Sequence, residues 1–455
     1  MKKYMSNSVL FGFYMFYYLS VELLINDLAG KALGTQNVVF LYGAISFGVS
    51  IGFLLFPLLR RLLKGHRARR SALWLAWALN IASLICASAI TMPAIFISAA
   101  LCTTVSAGFI GGCVFYAIAM NPVNKGALGR FFAILCALSF VLQYLVDWIR
   151  GLLGPHELLF CVSLYCLCIV IVAYVLLFRV RGSTLFAAAK TAPAVKTDTR
   201  KYLWGTLLVI LTLSALLGFS DGIFTSLHAG QAVNVSGIPR LFAIPSTLLA
   251  GFIYDYKDEK YFPLLTLASM LVLILVIFLS AGAESYNIAL TILFVCWPPA
   301  SIVSLASLTK AAPASAAPDF WVVIGRVAKY APNGLMAIAG GTLFTASSIF
   351  PMAVLYVILM ILLLLLFVFQ GKLSIQRTEP VPEPPLPPGI KQYGLTEREK
   401  EVFEVILQGA TVSEMAQKLY ISEVTVKRHV GSILKKTSLT SRAELIERYG
   451  GNKQA

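Results

Sequence analysis

LTEREKEVFEVILQGATVSEMAQKLYISEVTVKRHVGSILKKTSLTSRAELIERY, residues 395–449, is a polar segment at the end of an otherwise apolar chain. It parses into four short helices with marked starts. Thr396 with Glu399 and Thr411 with Glu414 have the T-x-x-E spacing of a capping box, in which a hydroxyl and a carboxylate exchange bonds with the first free amides of a helix. Ser422 stands where the third helix needs an N-cap, and Gly409 closes the first.

The third helix separates into two faces at about 100° per residue. Val426, Val430, Ile433 and Leu434 form an apolar stripe, for which Met415 and Leu419 of the preceding helix are the expected partners. Opposite lie Val424, Lys427, Arg428, Gly431 and Lys435. A helix held from behind with a basic front can enter a DNA major groove. The segment resembles the LuxR/NarL-type helix-turn-helix family over about 55 residues. The resemblance is carried by Leu395, Thr396, Arg398, Glu399, Glu401 and Val402; by Glu414, Met415, Ala416, Leu419, Ile421, Ser422, Thr425, Val426, Lys427, His429, Val430, Ile433 and Lys436; and by Arg442, Glu444 and Leu445. It implies a double-stranded DNA partner, with Lys427 and Arg428 at base edges and Thr425, Ser432 and Lys435 nearer the phosphates. It also implies a homodimer through the fourth helix, from Ser441, on a palindromic operator. Gly431 stands where relatives carry a longer polar residue, so a base contact is expected to be missing there. Thr437 replaces a usual apolar residue and is expected to loosen packing slightly. His429 has no second ligand nearby and reads as structural.

The remainder of the 455 residues has a different character. With 58% hydrophobic residues, 13% charged and a mean hydropathy of +0.80, the chain has too few charges to cover a water-soluble globule of its size. Apolar runs of about 20 residues, enough to span a bilayer, recur about twelve times: near 8–28, 37–59, 71–92, 94–120, 128–149, 157–178, 202–226, 238–254, 262–282, 286–308, 321–347 and 350–370. The expected fold is all-α: a polytopic bundle arranged as six plus six spans, followed by a small four-helix domain. Arg326 and Lys329 weaken the eleventh span, for which an interfacial helix and a short span from Tyr330 is the alternative. Glu22 and Asp27 interrupt the first apolar run, against a cleaved secretory signal.

Basic residues near short loops resist translocation. With the N-terminus inside, one face collects nineteen Lys and Arg, among them Arg60, Arg61, Lys125, Arg130, Lys260 and Lys310, and the other only Lys31, Arg150 and Arg240. Both termini are therefore expected in the cytoplasm of a bacterial cell, with the spans in its inner membrane. The net charge of +16 follows the same distribution. Residues 1–370 carry 24 basic and 11 acidic side chains, net +13, whereas residues 393–455 carry 10 and 8, net +2. Most of the excess is topological rather than DNA-seeking. Eight cysteines, Cys86, Cys102, Cys113, Cys136, Cys161, Cys166, Cys168 and Cys296, all fall in spans without a CxxC pair and read as small core residues, not metal ligands.

The expected domains are a first bundle at 1–178, an inter-bundle loop at 179–201, a second bundle at 202–370, a proline-rich linker at 371–392 and the helix-turn-helix at 393–455. Six plus six spans resemble the major facilitator superfamily, whose transporters enclose a midplane cavity between two bundles. That family carries G-x-x-x-D-x-x-x-[RK] between spans two and three, and again between eight and nine. Gly251, Asp255 and Lys260 look like a loosened second copy; the first keeps Gly52 but has Phe56 where the acid belongs. The missing acid puts normal transport cycling in doubt. In the linker, Pro380, Pro382, Pro384, Pro385, Pro387 and Pro388 favour an extended tether reaching some 60 Å, at about 3.1 Å per residue.

Charges inside spans are costly and suggest function. Glu22 and Asn26 in the first span, and Asp221 with Thr225 and His228 on one stripe of the seventh, are the candidate ligand-sensing residues; Asp27 and Asp147 lie closer to membrane edges. The alternative is that these groups satisfy one another as structural pairs. Tyr14, Phe16, Tyr17, Tyr18 and Phe219 are the nearby aromatics. No enzyme motif is evident, and no cofactor is expected. The expectation is a membrane-bound one-component transcriptional regulator with an unknown small-molecule effector; a secondary transporter with an added regulatory domain is the alternative, and a constitutive DNA anchor a third.

Overall fold

The computed structural model describes residues 2–449 other than 64, 91, 121–124, 180–196, 257–258, 281, 347–348, 378–392, 408 and 420. Two compact units emerge, Met1–Leu373 and Ser374–Ala455. Among the described residues the first contains twelve α-helices: α1 (Lys2–Leu33), α2 (Val38–Leu62), α3 (His66–Ala89), α4 (Pro93–Met120), α5 (Leu128–Leu153), α6 (Glu157–Tyr174), α7 (Thr197–Ala229), α8 (Ala243–Asp255), α9 (Phe262–Leu279), α10 (Tyr286–Ala311), α11 (Pro318–Thr345) and α12 (Ile349–Arg377). Among the described residues, nine helical stretches are long and apolar enough to cross a membrane, one of them running from α5 through α6. The two helices outside this set are instructive. α8 is short, extended by a 3-10 turn at Ile238–Phe242, and α11 carries Asp319, Arg326 and Lys329. α11 is nonetheless one continuous helix from Pro318 to Thr345, with Pro332 inside it.

Helices dominate because a bilayer offers backbone amides no other partner. The outward faces remain apolar, as a lipid surface requires: Leu58, Leu75, Leu159, Leu264, Phe350 and Leu365 are all at least half exposed. Between helices the driving force is close packing of small residues and interhelical hydrogen bonds. A Cβ on Gly222 of α7 would meet the Ala337 carbonyl of α11 at 2.0 Å, and one on Gly52 of α2 would meet the Val105 carbonyl of α4 at 2.0 Å. Buried Asn80 on α3 accepts from the Tyr17 hydroxyl at 2.6 Å and donates to the Thr103 carbonyl and Ser106 Oγ, both at 3.0 Å, tying α1, α3 and α4 together.

Several boundaries move. α12 continues to Arg377, so the first residues expected in the tether are helical; the tether's proline-rich part lies outside the described residues. α7 begins at Thr197, inside the expected inter-bundle loop, of which 180–196 lies outside the described residues.

The second unit contains α13 (Glu397–Leu407), α14 (Val412–Leu419), α15 (Glu423–Thr437) and α16 (Arg442–Tyr449). Its own core comprises Val402, Phe403, Ile406, Met415, Val426, Ile433 and Leu445.

Candidate functional site

In the membrane unit a cavity opens between the two sets of six helices, with a wide lobe of about 140 Å³ and a deep one of about 60 Å³. The first volume compares with a cavity that admits one benzene-sized molecule. All five residues singled out from the sequence, Glu22, Asn26, Asp221, Thr225 and His228, line the wide lobe. Their helices explain this: Glu22 and Asn26 are one turn apart on α1, and Asp221, Thr225 and His228 share a face of α7. Aromatic walls come from Phe140, Phe224, Phe294 and Trp297.

The polar groups are not equivalent. Asp221 Oδ2 accepts from Asn333 Nδ2 at 2.6 Å, and Asn333 Oδ1 accepts from the Tyr42 hydroxyl at 3.1 Å, a chain that crosses from α7 through α11 to α2. His228 faces acceptors with both ring nitrogens, Asp27 Oδ1 at 2.9 Å and the Val233 carbonyl at 3.1 Å. Asp27 also accepts from Arg150 at 3.2 Å, which in turn pairs with Asp147 and Glu157 at 3.6 Å. This cluster joins α1 and α5 to α7 at one rim of the cavity.

Sequence reasoning missed half of the lining. Arg240, counted there among the outer-face cations, is only 6% exposed and lines the wide lobe between Phe140 and Phe294, with ring centroids at 5.6 and 5.8 Å. Arg326 and Lys329, read only as weakening the eleventh span, line the deep lobe with Tyr42, Tyr330 and Asn333. Lys329 Nζ sits over Trp297 at 5.1 Å. The available signal was the rule already applied to acids, that an ionisable group inside a span marks function. Of the five aromatics named from the sequence, only Tyr18 reaches the cavity. Tyr17 bonds Asn80, Tyr14 bonds the Ala107 carbonyl, Phe16 packs on Tyr165, and Phe219 is buried behind Gly340.

Away from the cavity, two charged ties join the halves. Asp255, at the end of α8, accepts from the Gly129 and Arg130 amides at 2.9 and 2.8 Å and from Arg130 Nε at 3.1 Å, capping α5. The first motif copy is not placed likewise. Gly52 and Phe56 pack on α4, Phe56 against Phe109, Gly112 and Tyr116. The tie there has reversed polarity, Arg61 of α2 lying 3.6 Å from Asp319 in the first turn of α11.

In the C-terminal unit the caps form at the marked positions. The Thr396 and Thr411 amides donate to Glu399 and Glu414, each at 2.8 Å, and the Thr425 amide to Ser422 Oγ at 3.1 Å. Gly409, with φ +77°, takes the left-handed turn that ends α13, a conformation glycine adopts without steric cost. Glu399 does more than cap: Ser432 Oγ and Lys436 Nζ of α15 both donate to it at 2.6 Å. Burial raises the Glu399 pKa, but bonds from Lys436, Ser432 and Thr396 overcome this and hold the carboxyl down at about 2. The carboxylate thereby fixes the rotation of α15 on α13. Its outward face presents Val424, Lys427, Arg428, Gly431 and Lys435, all exposed, with Thr425 half-buried beside the cap. Ser432, expected near phosphates, is half-buried and donates to Glu399. Thr437 is buried in this core, 3% exposed, and its hydroxyl donates to the Ile433 carbonyl at 2.8 Å. Among the described residues no group of three or more His, Cys, Asp or Glu is arranged to hold a metal.

A twelve-helix membrane bundle with a central cavity and a helix-turn-helix domain define a class, a DNA-binding regulator domain carried on a transporter-like membrane unit. Residues 394–448 match the model of the bacterial regulatory proteins of the luxR family. The chain is 40% identical over 52 residues to the spore germination protein GerE of Bacillus subtilis (strain 168), covering 11% of this chain and 70% of that protein. It is 43% identical over 54 residues to the transcriptional regulatory protein DesR of the same organism, covering 12% of this chain and 27% of DesR. Through its C-terminal domain the chain belongs to the luxR family of bacterial regulatory proteins. The remainder has the major facilitator superfamily fold. The proton:xylose symporter XylE superposes with a TM-score of 0.55 at 15% identity, covering 81% of this chain and 95% of XylE. The nucleoside transporter NupG superposes with a TM-score of 0.54 at 13% identity, covering 80% and 100%.

Proposed function

We propose that this protein is a one-component transcriptional regulator whose membrane unit senses a small molecule and whose luxR-type domain binds DNA. The observation that carries the reading is the cavity: Glu22, Asn26, Asp221, Thr225 and His228 converge on it from α1 and α7, in a chain that also ends in a DNA-binding domain. A ligand there changes the balance between arrangements of the two halves in proportion to its different affinity for each. That balance alters pairing of the C-terminal domains, whose effective concentration is raised by attachment to one membrane.

On DNA, Lys427 and Arg428 read base edges, and Thr425 and Lys435 approach phosphates; α16 pairs two copies on a palindromic operator. Both termini lie in the cytoplasm, with the spans in a bacterial inner membrane, because basic residues gather at one face. The domains follow as two bundles, at 1–178 and 202–370, a linker and the DNA-binding unit from 393. The role is regulatory, with no enzymatic step and no cofactor. Transport as a second activity is favoured by one observation, the Asp255–Arg130 tie between halves.

Transcript profiling tests the proposal. Cells with the full chain, the Lys427→Ala/Arg428→Ala variant and the Asp221→Asn variant are compared. The first variant should match a deletion strain; the second should lose only the response to added effector. Identical profiles for all three reject the proposal. A reporter fused at residue 371 should score cytoplasmic.

A further inference from the structure

We propose that the cavity binds a compact organic anion, its carboxylate held at Arg240 and its apolar body set among the surrounding rings. This rests on the reading of the membrane unit as ligand-binding and adds the chemical class. The cavity charges do not balance. Arg240, Arg326 and Lys329 stand against Glu22 and Asp221, three cations to two acids. Asp221 is engaged by Asn333 at 2.6 Å. Glu22 is within electrostatic reach of Lys329 and Arg240, yet among the described residues no salt bridge joins it to either. The surplus is therefore positive.

It is concentrated at Arg240. This side chain is more than nine-tenths buried, and neither Nε nor Nη1 has a hydrogen-bond acceptor among the described residues. A guanidinium out of water, with acids near it but no acceptor on two of its nitrogens, is unfavourable, so an acceptor supplied by an occupant stabilises the site. The Phe140 and Phe294 rings lie 5.6 and 5.8 Å from its central carbon, and Nε and Nη1 are the N–H groups left for bonding. A planar fork of donors matches a carboxylate. Arg326 also has an unpartnered nitrogen, Nη2, but lines the deep lobe, which has room for water rather than a ring. A cationic ligand at Glu22 fits less well, since Lys329 and Arg240 already offset that acid. Phe224, Phe294 and Trp297 in the wide lobe suit an aromatic or branched body.

Purified full-length protein in nanodiscs is titrated with benzoate and with its size-matched neutral and cationic counterparts, benzyl alcohol and benzylamine. Thermal stability and tryptophan fluorescence are recorded. Benzoate is expected to raise the melting temperature and saturate, and the two counterparts are not. Arg240→Gln should weaken benzoate by at least about tenfold, and Arg240→Lys by less, with unliganded melting curves verifying that both fold. Should the glutamine variant fail to fold, the three ligands on unaltered protein decide. Absence of benzoate binding, equal binding of benzylamine, or unchanged affinity in a folded Arg240→Gln protein overturns the assignment. Benzoate that binds without changing any transcript supports the anion site and removes the sensor reading alone.

Discussion

Asp255 and Arg130 join the two halves of the membrane unit: the carboxylate, 5% exposed, receives the Arg130 guanidinium and caps the start of α5 at the same time. At the α2 end the tie is Arg61, 57% exposed, to Asp319 across 3.6 Å. Exposure and distance make the second tie weak. The two ties are thus unequal in strength, and α8 supplies the acid to one whereas α2 supplies the base to the other.

Asp255→Ala should therefore be the costly change. It leaves two helix-start amides and Arg130 Nε without their acceptor, a loss of about 2–3 kcal/mol, whereas Arg61→Ala should cost less than about 1 kcal/mol. Melting of full-length protein in detergent is the check, and equal shifts for the two variants would contradict the asymmetry.

Glu399→Gln should destabilise the isolated C-terminal unit at neutral pH by about 2 kcal/mol or more, because four donor groups lose a charged acceptor. With the folded pKa held at about 2, below the ordinary value near 4.3, the carboxylate's contribution is fully present above about pH 4.5. It is lost as pH falls through the folded value. Denaturant unfolding of residues 390–455 at several pH values should show this slope in the native sequence and lack it in the variant.

Gly431 lies mid-helix on the exposed face of α15, and a Cβ there meets nothing within 4 Å. Gly431→Ala should stabilise the domain by about 0.5–1 kcal/mol through helix propensity alone. Unfolding midpoints measure it, and a destabilised alanine variant would show that the position is not open.

Lys427→Ala and Arg428→Ala should each weaken sequence preference on DNA by about 1–3 kcal/mol, while Lys435→Ala should lower affinity for all sequences and reduce the salt slope by about one. Binding of residues 390–455 to random and selected duplexes over a salt series separates the two behaviours.

Gly222→Ala tests the packing of α7 on α11. An added methyl group would meet a backbone carbonyl at 2.0 Å, and backbone gives way less readily than a side-chain tip. A cost of about 1–3 kcal/mol, or poor insertion, is expected, whereas Gly30→Ala, with nothing within 4 Å, should melt as the unaltered protein does.

The sequence by itself determined what depends on sums over near neighbours. Apolar runs of span length placed twelve helices, because the bilayer rewards average hydropathy and forbids open backbone whatever the neighbouring helix is. Fixed spacings placed the caps of the C-terminal domain and its basic face, because each cap bond links residues three apart. Only the tertiary structure decided which charges meet. Asp221 finds Asn333 at a separation of 112 residues, and His228 finds Asp27 at 201. Arg240, to all local appearance a loop cation, turns inward between two rings. Ser432 reaches Glu399 across 33 residues. In an apolar surround a polar group must take its partner from another helix, so its role is set by how the helices pack.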